Sequence, residues 1–150
     1  PKGIKRAYAV IQKGIDSRYT RFRVSIIDMY PHVRERFIEN GLPLPYGEKG
    51  FLPSVSQSRE VDKTLKSLIK YGEEMGHCIR IEACAEPELK SAAHQGCISS
   101  YDLDLLGLGE GRDNDNIGFQ RRNCLCYSGK TELLANKKCC PHQCLYCYWK

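Results

Sequence analysis

Residues 22–40 read FRVSIIDMYPHVRERFIEN, and the fold class turns on them. The first seven, FRVSIID, are dominated by β-branched and apolar side chains and predict a buried strand over 22–28. At Pro31 the pattern changes from strand to helix. Proline suits the first helical position, where its missing N–H costs nothing. Val33, Phe37 and Ile38 then share one face, so residues 31–40 predict a helix, with Gly41 as its natural stop.

Downstream, residues 41–55 (GLPLPYGEKGFLPSV) carry Pro43, Pro45 and Pro53, which rule out a regular helix and predict an irregular connection. Residues 58–75 predict the longest helix. Ser58 is placed to cap it, Glu60 and Asp62 suit its first turn, and Val61, Leu65, Leu68 and Ile69 make its apolar stripe. Gly76 ends it. Residues 77–84 (HCIRIEAC) alternate as a short strand that places Cys78 in the core. Pro87 opens a short helix to about His94, stopped by Gly96, and Ser99 or Ser100 caps another over 101–106.

Strands alternating with helices predict an α/β layer with parallel strands. Two or three strands cannot close a barrel, so the layer reads as a partial (β/α) barrel, part of a larger one. From residue 107 the pattern gives way to Gly, Asp and Asn. The domain reading is therefore an α/β segment over 1–119 and an irregular, cysteine-rich, metal-binding tail over 120–150. The tail has little apolar periodicity, and a metal centre can supply the folding energy that a core does not.

The chain has 150 residues and a formal net charge of +5. That length suits one domain with its own core. It starts at Pro1 and stops three residues after Cys147, which predicts a fragment of a longer protein. No apolar run approaches the roughly 20 residues that span a bilayer, and no secretory signal is visible. Residues 1–30 hold seven basic and two acidic residues, 31–119 hold ten and fifteen, and 120–150 hold six and one. The basic tail can attract an anionic cofactor or be a solvated surface. Nucleic-acid binding is not supported, because neither an aromatic stacking series nor a continuous basic stripe is present.

Nine cysteines stand at 78, 84, 97, 124, 126, 139, 140, 144 and 147. An odd count, clustering and the lack of a signal favour metal ligation in a reducing, cytoplasmic setting over a disulfide framework. The tail reads CCPHQCLYC over 139–147. From Cys140 the spacing is C-x3-C-x2-C, and three thiolates this close can wrap one cluster while leaving one iron open. Tyr146 precedes the last cysteine. The set resembles the radical-SAM signature, C-x3-C-x-aromatic-C. The resemblance implies a 4Fe-4S cluster on Cys140, Cys144 and Cys147, with S-adenosylmethionine on the open iron, reductive cleavage of that cofactor, and Tyr146 beside the adenine. The cofactors carry such chemistry, while the protein binds and orients them.

The wider chain resembles the domain-of-unknown-function family 1848, radical-SAM-like proteins with the cluster motif at the C-terminus. The residues that carry the likeness are RFRVSIIDMY (21–30), EACAE (82–86), GCI (96–98), QR (120–121), CLC (124–126) and CPHQCLYCY (140–148). The stretch SGKTELLANKKC (128–139) departs from the Asp-Ile-Gly-like run expected there. The resemblance implies that the chain is about the C-terminal half of its parent, and that alone it lacks much of the cofactor pocket and is inactive. It implies an enzyme of unknown substrate, with a reductant such as ferredoxin or flavodoxin as partner and no membrane.

Cys84, Cys97, Cys124 and Cys126 also fit the resemblance, and four is the number for a second closed site, either zinc or an auxiliary cluster. The competing reading makes Cys84 and Cys97 small core residues. Two other functions stand beside the radical one. A zinc module would use Cys124, Cys126, Cys144 and Cys147. A 2Fe-2S electron-transfer protein would read the tail from Cys139 as C-x4-C-x2-C. Weaker candidates are the Gly107–Gly111 stretch as a cofactor-binding loop or a plain turn, His142 as ligand or surface residue, and Asp28 as catalytic or capping. Glu82 and Glu86 are substrate-binding or solvated.

Overall fold

The structure, a computed structural model, describes residues 2–14, 21–108, 124–126 and 144–147. Among the described residues four helices and three strands follow one another: α1 (Lys2–Ile11), β1 (Arg21–Val24), α2 (Pro31–Glu39), α3 (Val55–Glu74), β2 (Arg80–Ala83), β3 (Ala93–His94) and α4 (Ser100–Leu105). A single 3-10 turn, Gln12–Gly14, follows α1. The strands form one sheet in the order β1-β2-β3, parallel throughout. Arg21 pairs with Arg80 and Val24 with Ala83, while Glu82 pairs with Ala93 and Ala83 with His94. The α/β class and the parallel sheet are as the sequence predicts.

Two compact units make up the chain. The first, Pro1–Ser25 with Gln57–Gly129, contains the sheet. Its core is Ile4, Tyr8, Leu65, Ile79, Ile81, Ala83, Leu89, Ala92 and Cys126, all buried. α1 escapes the strand-and-helix reading above, although Ile4 and Tyr8 stand one turn apart and are its two buried residues. Tyr8 packs edge-on against Tyr71 of α3, with 5.1 Å between ring centroids, and its hydroxyl bonds the His77 ring. α3 lies close against Ile79, because a Cβ on Gly72 would run into that side chain.

The second unit is Ile26–Ser56 with Lys130–Lys150. Pro31 opens α2 as expected. Val33 of α2 and Met29 just before it are buried, and Tyr30 packs edge-on against Phe51. Arg34 donates from one side chain to the Glu48 and Gly50 carbonyls, and Tyr46 Oη donates to the Ile27 carbonyl at 2.9 Å. These bonds tie down the proline-rich connection.

Several boundaries differ from the sequence reading. β1 stops at Val24 and not at residue 28, because β2 offers only four residues to pair with. Asp28 therefore lies beyond the strand, in the second unit. α3 starts at Val55, so Ser58 and Asp62 are not at its entry. Asp62, rather than the exposed Val61, is turned to the packed side, where it accepts the Ser91 N–H at 2.6 Å. β2 begins at Arg80, which leaves Cys78 exposed instead of in the core. The helix expected over 87–94 is a series of turns that plugs Leu89 into the core, then joins the sheet as β3. The pull of β2's free edge outweighs a weak local helix signal. Ser99 does cap α4, in a capping box with Asp102.

Candidate metal centre

In a parallel sheet every strand presents its carboxyl end at one edge, and ligands of α/β folds gather there. Cys84 follows β2 directly, and Cys97 comes three residues after the end of β3. Both cysteines thus leave the same edge. The segment Cys124–Cys126 meets them there. Gly96 makes this approach feasible: a Cβ at that position would collide with the Leu125 carbonyl and the Cys126 Cα.

Four sulfurs converge as a result. Cys84 Sγ lies 3.6 Å from Cys124 Sγ and 3.6 Å from Cys126 Sγ. The sulfurs of Cys84, Cys97 and Cys126 all fall within 4.8 Å of one another. The Cys97 N–H donates to Cys126 Sγ at 3.0 Å. Cys126 is buried, Cys84 and Cys124 are half-buried, and Cys97 is exposed. Ala85, next to Cys84, sits at φ 59°, a left-handed backbone that costs a residue with a Cβ about 1 kcal/mol or more. That turn directs the chain away from the strand at the first ligand.

The four thiols differ electrostatically. Burial alone would push Cys126 up, but hydrogen bonds from Cys124, from the Cys97 and Ile98 N–H groups and from Cys84 bring it down to about 6. Burial, followed by its sulfur neighbours, pushes Cys124 up to about 11. Cys84 and Cys97 are also raised, chiefly by burial. One sulfur is thus prepared as thiolate while its neighbours donate to it, the arrangement of a ligand set that shares negative charge.

Behind the sulfurs lies a charged network. Glu82 of β2 is almost wholly buried, at 1% side-chain exposure, and pairs with Arg21, Arg23 and Arg80. It is neither solvated nor free to bind a substrate, which corrects the sequence reading. Asp102 of α4 pairs with Arg21 and Arg23. The Tyr101 ring lies under Arg21 at 4.4 Å and Arg80 at 5.2 Å. Arg23 Nη1 also donates to the Gly96 carbonyl at 2.9 Å, beside Cys97. Glu86, by contrast, accepts from Ser25 Oγ at 3.2 Å.

In the second unit, Cys144–Cys147 form a turn closed by the Cys147 N–H on the Cys144 carbonyl at 3.0 Å. Arg36 of α2 donates to the Cys147 carbonyl at 2.7 Å. Tyr146 is exposed, and its hydroxyl is raised by its contact with the Cys144 thiol. Cys139, Cys140 and His142 lie outside the described residues, as do residues 109–111 of the glycine stretch. Gly107 closes α4, with its N–H on the Asp104 carbonyl at 3.0 Å.

The sequence model of one family, a domain of unknown function (DUF1848), matches residues 2–149. The chain belongs to that family. No curated protein and no solved structure matches it. In this DUF1848 chain, three neighbouring cysteines can bind a metal, and a fourth stands within reach. No described helix is long and apolar enough to cross a membrane.

Proposed function

We propose that this DUF1848 chain is the cluster-bearing part of a radical-SAM-type iron–sulfur enzyme. In this reading Cys140, Cys144 and Cys147 hold a 4Fe-4S cluster, S-adenosylmethionine takes its open iron, and Tyr146 stacks near the adenine. The observation that carries the reading is the tail's C-x3-C-x2-C spacing with an aromatic before its last cysteine. The Cys144–Cys147 turn supports it, because the hydrogen bond across the turn sets both thiols on one short loop. The residues fit the group: thiolates are the donors that such clusters take. When bound, a three-thiolate cluster supplies one open coordination site and the electron for reductive cleavage of the sulfonium.

This chain's own residues bind and position. Arg36 holds the Cys147 carbonyl and so anchors the Cys144–Cys147 turn. The exposed Tyr146 ring is free to meet a bound purine. The substrate is a small molecule or macromolecule of unassigned class, a ferredoxin or flavodoxin supplies the electron, and the setting is the reducing cytoplasm.

The test is anaerobic reconstitution with iron and sulfide, then EPR of the reduced chain with and without S-adenosylmethionine. A 4Fe-4S signal that shifts with the cofactor, and is lost in Cys140→Ala but not Cys139→Ala, is the expected result. Loss in Cys139→Ala alone would instead favour the 2Fe-2S protein. No signal, with zinc bound through Cys124, Cys126, Cys144 and Cys147, would replace the enzyme with a zinc module.

A further inference from the structure

We infer that Cys84, Cys97, Cys124 and Cys126 form a mononuclear, tetrahedral tetrathiolate centre for one zinc ion, separate in function from the tail motif. The geometry decides between one ion and a cluster. Four thiolates on one zinc, each at about 2.3 Å, have sulfur–sulfur edges of about 3.8 Å. Two of the six edges, Cys84–Cys124 and Cys84–Cys126, both 3.6 Å, match that value. A cubane cluster instead places each cysteine sulfur on a different iron, so its sulfurs stand apart by the cluster edge and two bonds. A two-iron cluster divides four cysteines into two distant pairs. Three sulfurs mutually within 4.8 Å satisfy neither division.

The surroundings agree with a closed structural site. Cys84, Cys97 and Cys126 make the three-sulfur group, and Cys124, 3.6 Å from Cys84, supplies the fourth thiolate, so the completed set leaves no open position for a substrate. Amide donors face the sulfurs, with the Cys97 N–H on Cys126 Sγ at 3.0 Å. Such outer hydrogen bonds orient ligands and spread the charge of a centre that carries a net charge of −2. Arg23, hydrogen-bonded to the carbonyl just before Cys97, brings a positive charge to the same side. Binding takes all four sulfurs as thiolates, the thiols that still carry protons release them to solvent, and no electron changes hands. The centre joins three chain segments that the sequence separates by up to 42 residues.

The inference does not rest on the radical reading, and its test removes that reading's residues. The full chain carrying Cys140→Ala, Cys144→Ala and Cys147→Ala is purified anaerobically and its metal content measured. Zinc is then exchanged for cobalt, and the spectrum is read for tetrahedral, four-thiolate coordination. In parallel, thiols are alkylated with and without a zinc chelator and mapped by mass spectrometry. One zinc per chain, a tetrathiolate cobalt spectrum, and protection of Cys84, Cys97, Cys124 and Cys126 that the chelator abolishes are expected. The exposed Cys78 should label in both conditions. Cys126→Ser should abolish metal retention. Should that variant not fold, the cobalt spectrum and the protection pattern of the parent chain still decide. No retained metal, iron–sulfide absorption dependent on these four cysteines, a mononuclear iron, or disulfides among them would each overturn the assignment.

Discussion

Single atoms decide the metal centre. Gly96 is the clearest case, because an added Cβ would meet backbone that cannot rotate away. Gly96→Ala should cost about 1–3 kcal/mol of stability, as overpacking does, and should weaken metal retention by displacing Cys126. Chemical denaturation and metal titration of the variant check both. Asp102 provides a pH signature. Burial alone would raise its carboxyl, but hydrogen bonds from Arg21, Ser99 and Arg23 hold it well below the usual carboxylate range. A carboxyl whose folded pKa is depressed contributes stability above its unfolded value of about 3.9 and loses it as the pH falls below that. The urea midpoint of the parent chain should therefore drop more steeply below about pH 4 than that of Asp102→Asn. Equal slopes would show that the Arg21 and Arg23 pairs contribute nothing. Little of this was legible in sequence: Glu82 reads as a surface carboxylate until the neighbouring arginines of β1 are placed beside it. Register alone does that, since Arg23 pairs with Glu82 across the sheet.

Elements show which local signals are strong enough to stand alone. Pro31 at the start of α2, Gly41 and Gly76 past the ends of α2 and α3, and the Ser99 cap are all legible from short motifs, because each is satisfied within a few residues. Ser99→Ala should cost about 1 kcal/mol by breaking the capping box. The same variant should loosen Asp102, so its thermal midpoint should fall further than that of an exposed Ser67→Ala control in α3. The segment 87–94 shows the opposite case. Its helix signal rests on Pro87 at the start and Gly96 as the stop, and tertiary pairing with β2 overrides it. Leu89 anchors that segment with no exposed surface. Leu89→Ala should cost about 2–5 kcal/mol and, by freeing the path into β3, should also reduce metal retention. Equilibrium unfolding with metal analysis tests the pair of effects; a stability loss with full metal retention would separate β3 from the centre.

At the scale of the whole molecule, the inferred zinc centre acts as a cross-link within the first unit. Chelation should lower that unit's unfolding temperature and raise hydrogen exchange at residues 93–98 and 124–126. Exchange in α2 of the second unit should stay unchanged; a uniform rise across both units would mean that they unfold together. The sequence by itself determined the α/β class, the helix that starts at Pro31 and is predicted to run to residue 40, most of α3, and the abundance of cysteine that makes metal the natural ligand. Periodicity, caps and composition act over about ten residues, and short-range physics writes them directly into the chain. The family resemblance groups Cys84, Cys97, Cys124 and Cys126, but only the tertiary structure decided how they meet. Cys84, Cys97 and Cys126 come within 4.8 Å through two parallel pairings, a left-handed turn at Ala85 and the bare backbone of Gly96. No local pattern encodes such a meeting, because its free energy comes from burial and register between segments distant in sequence.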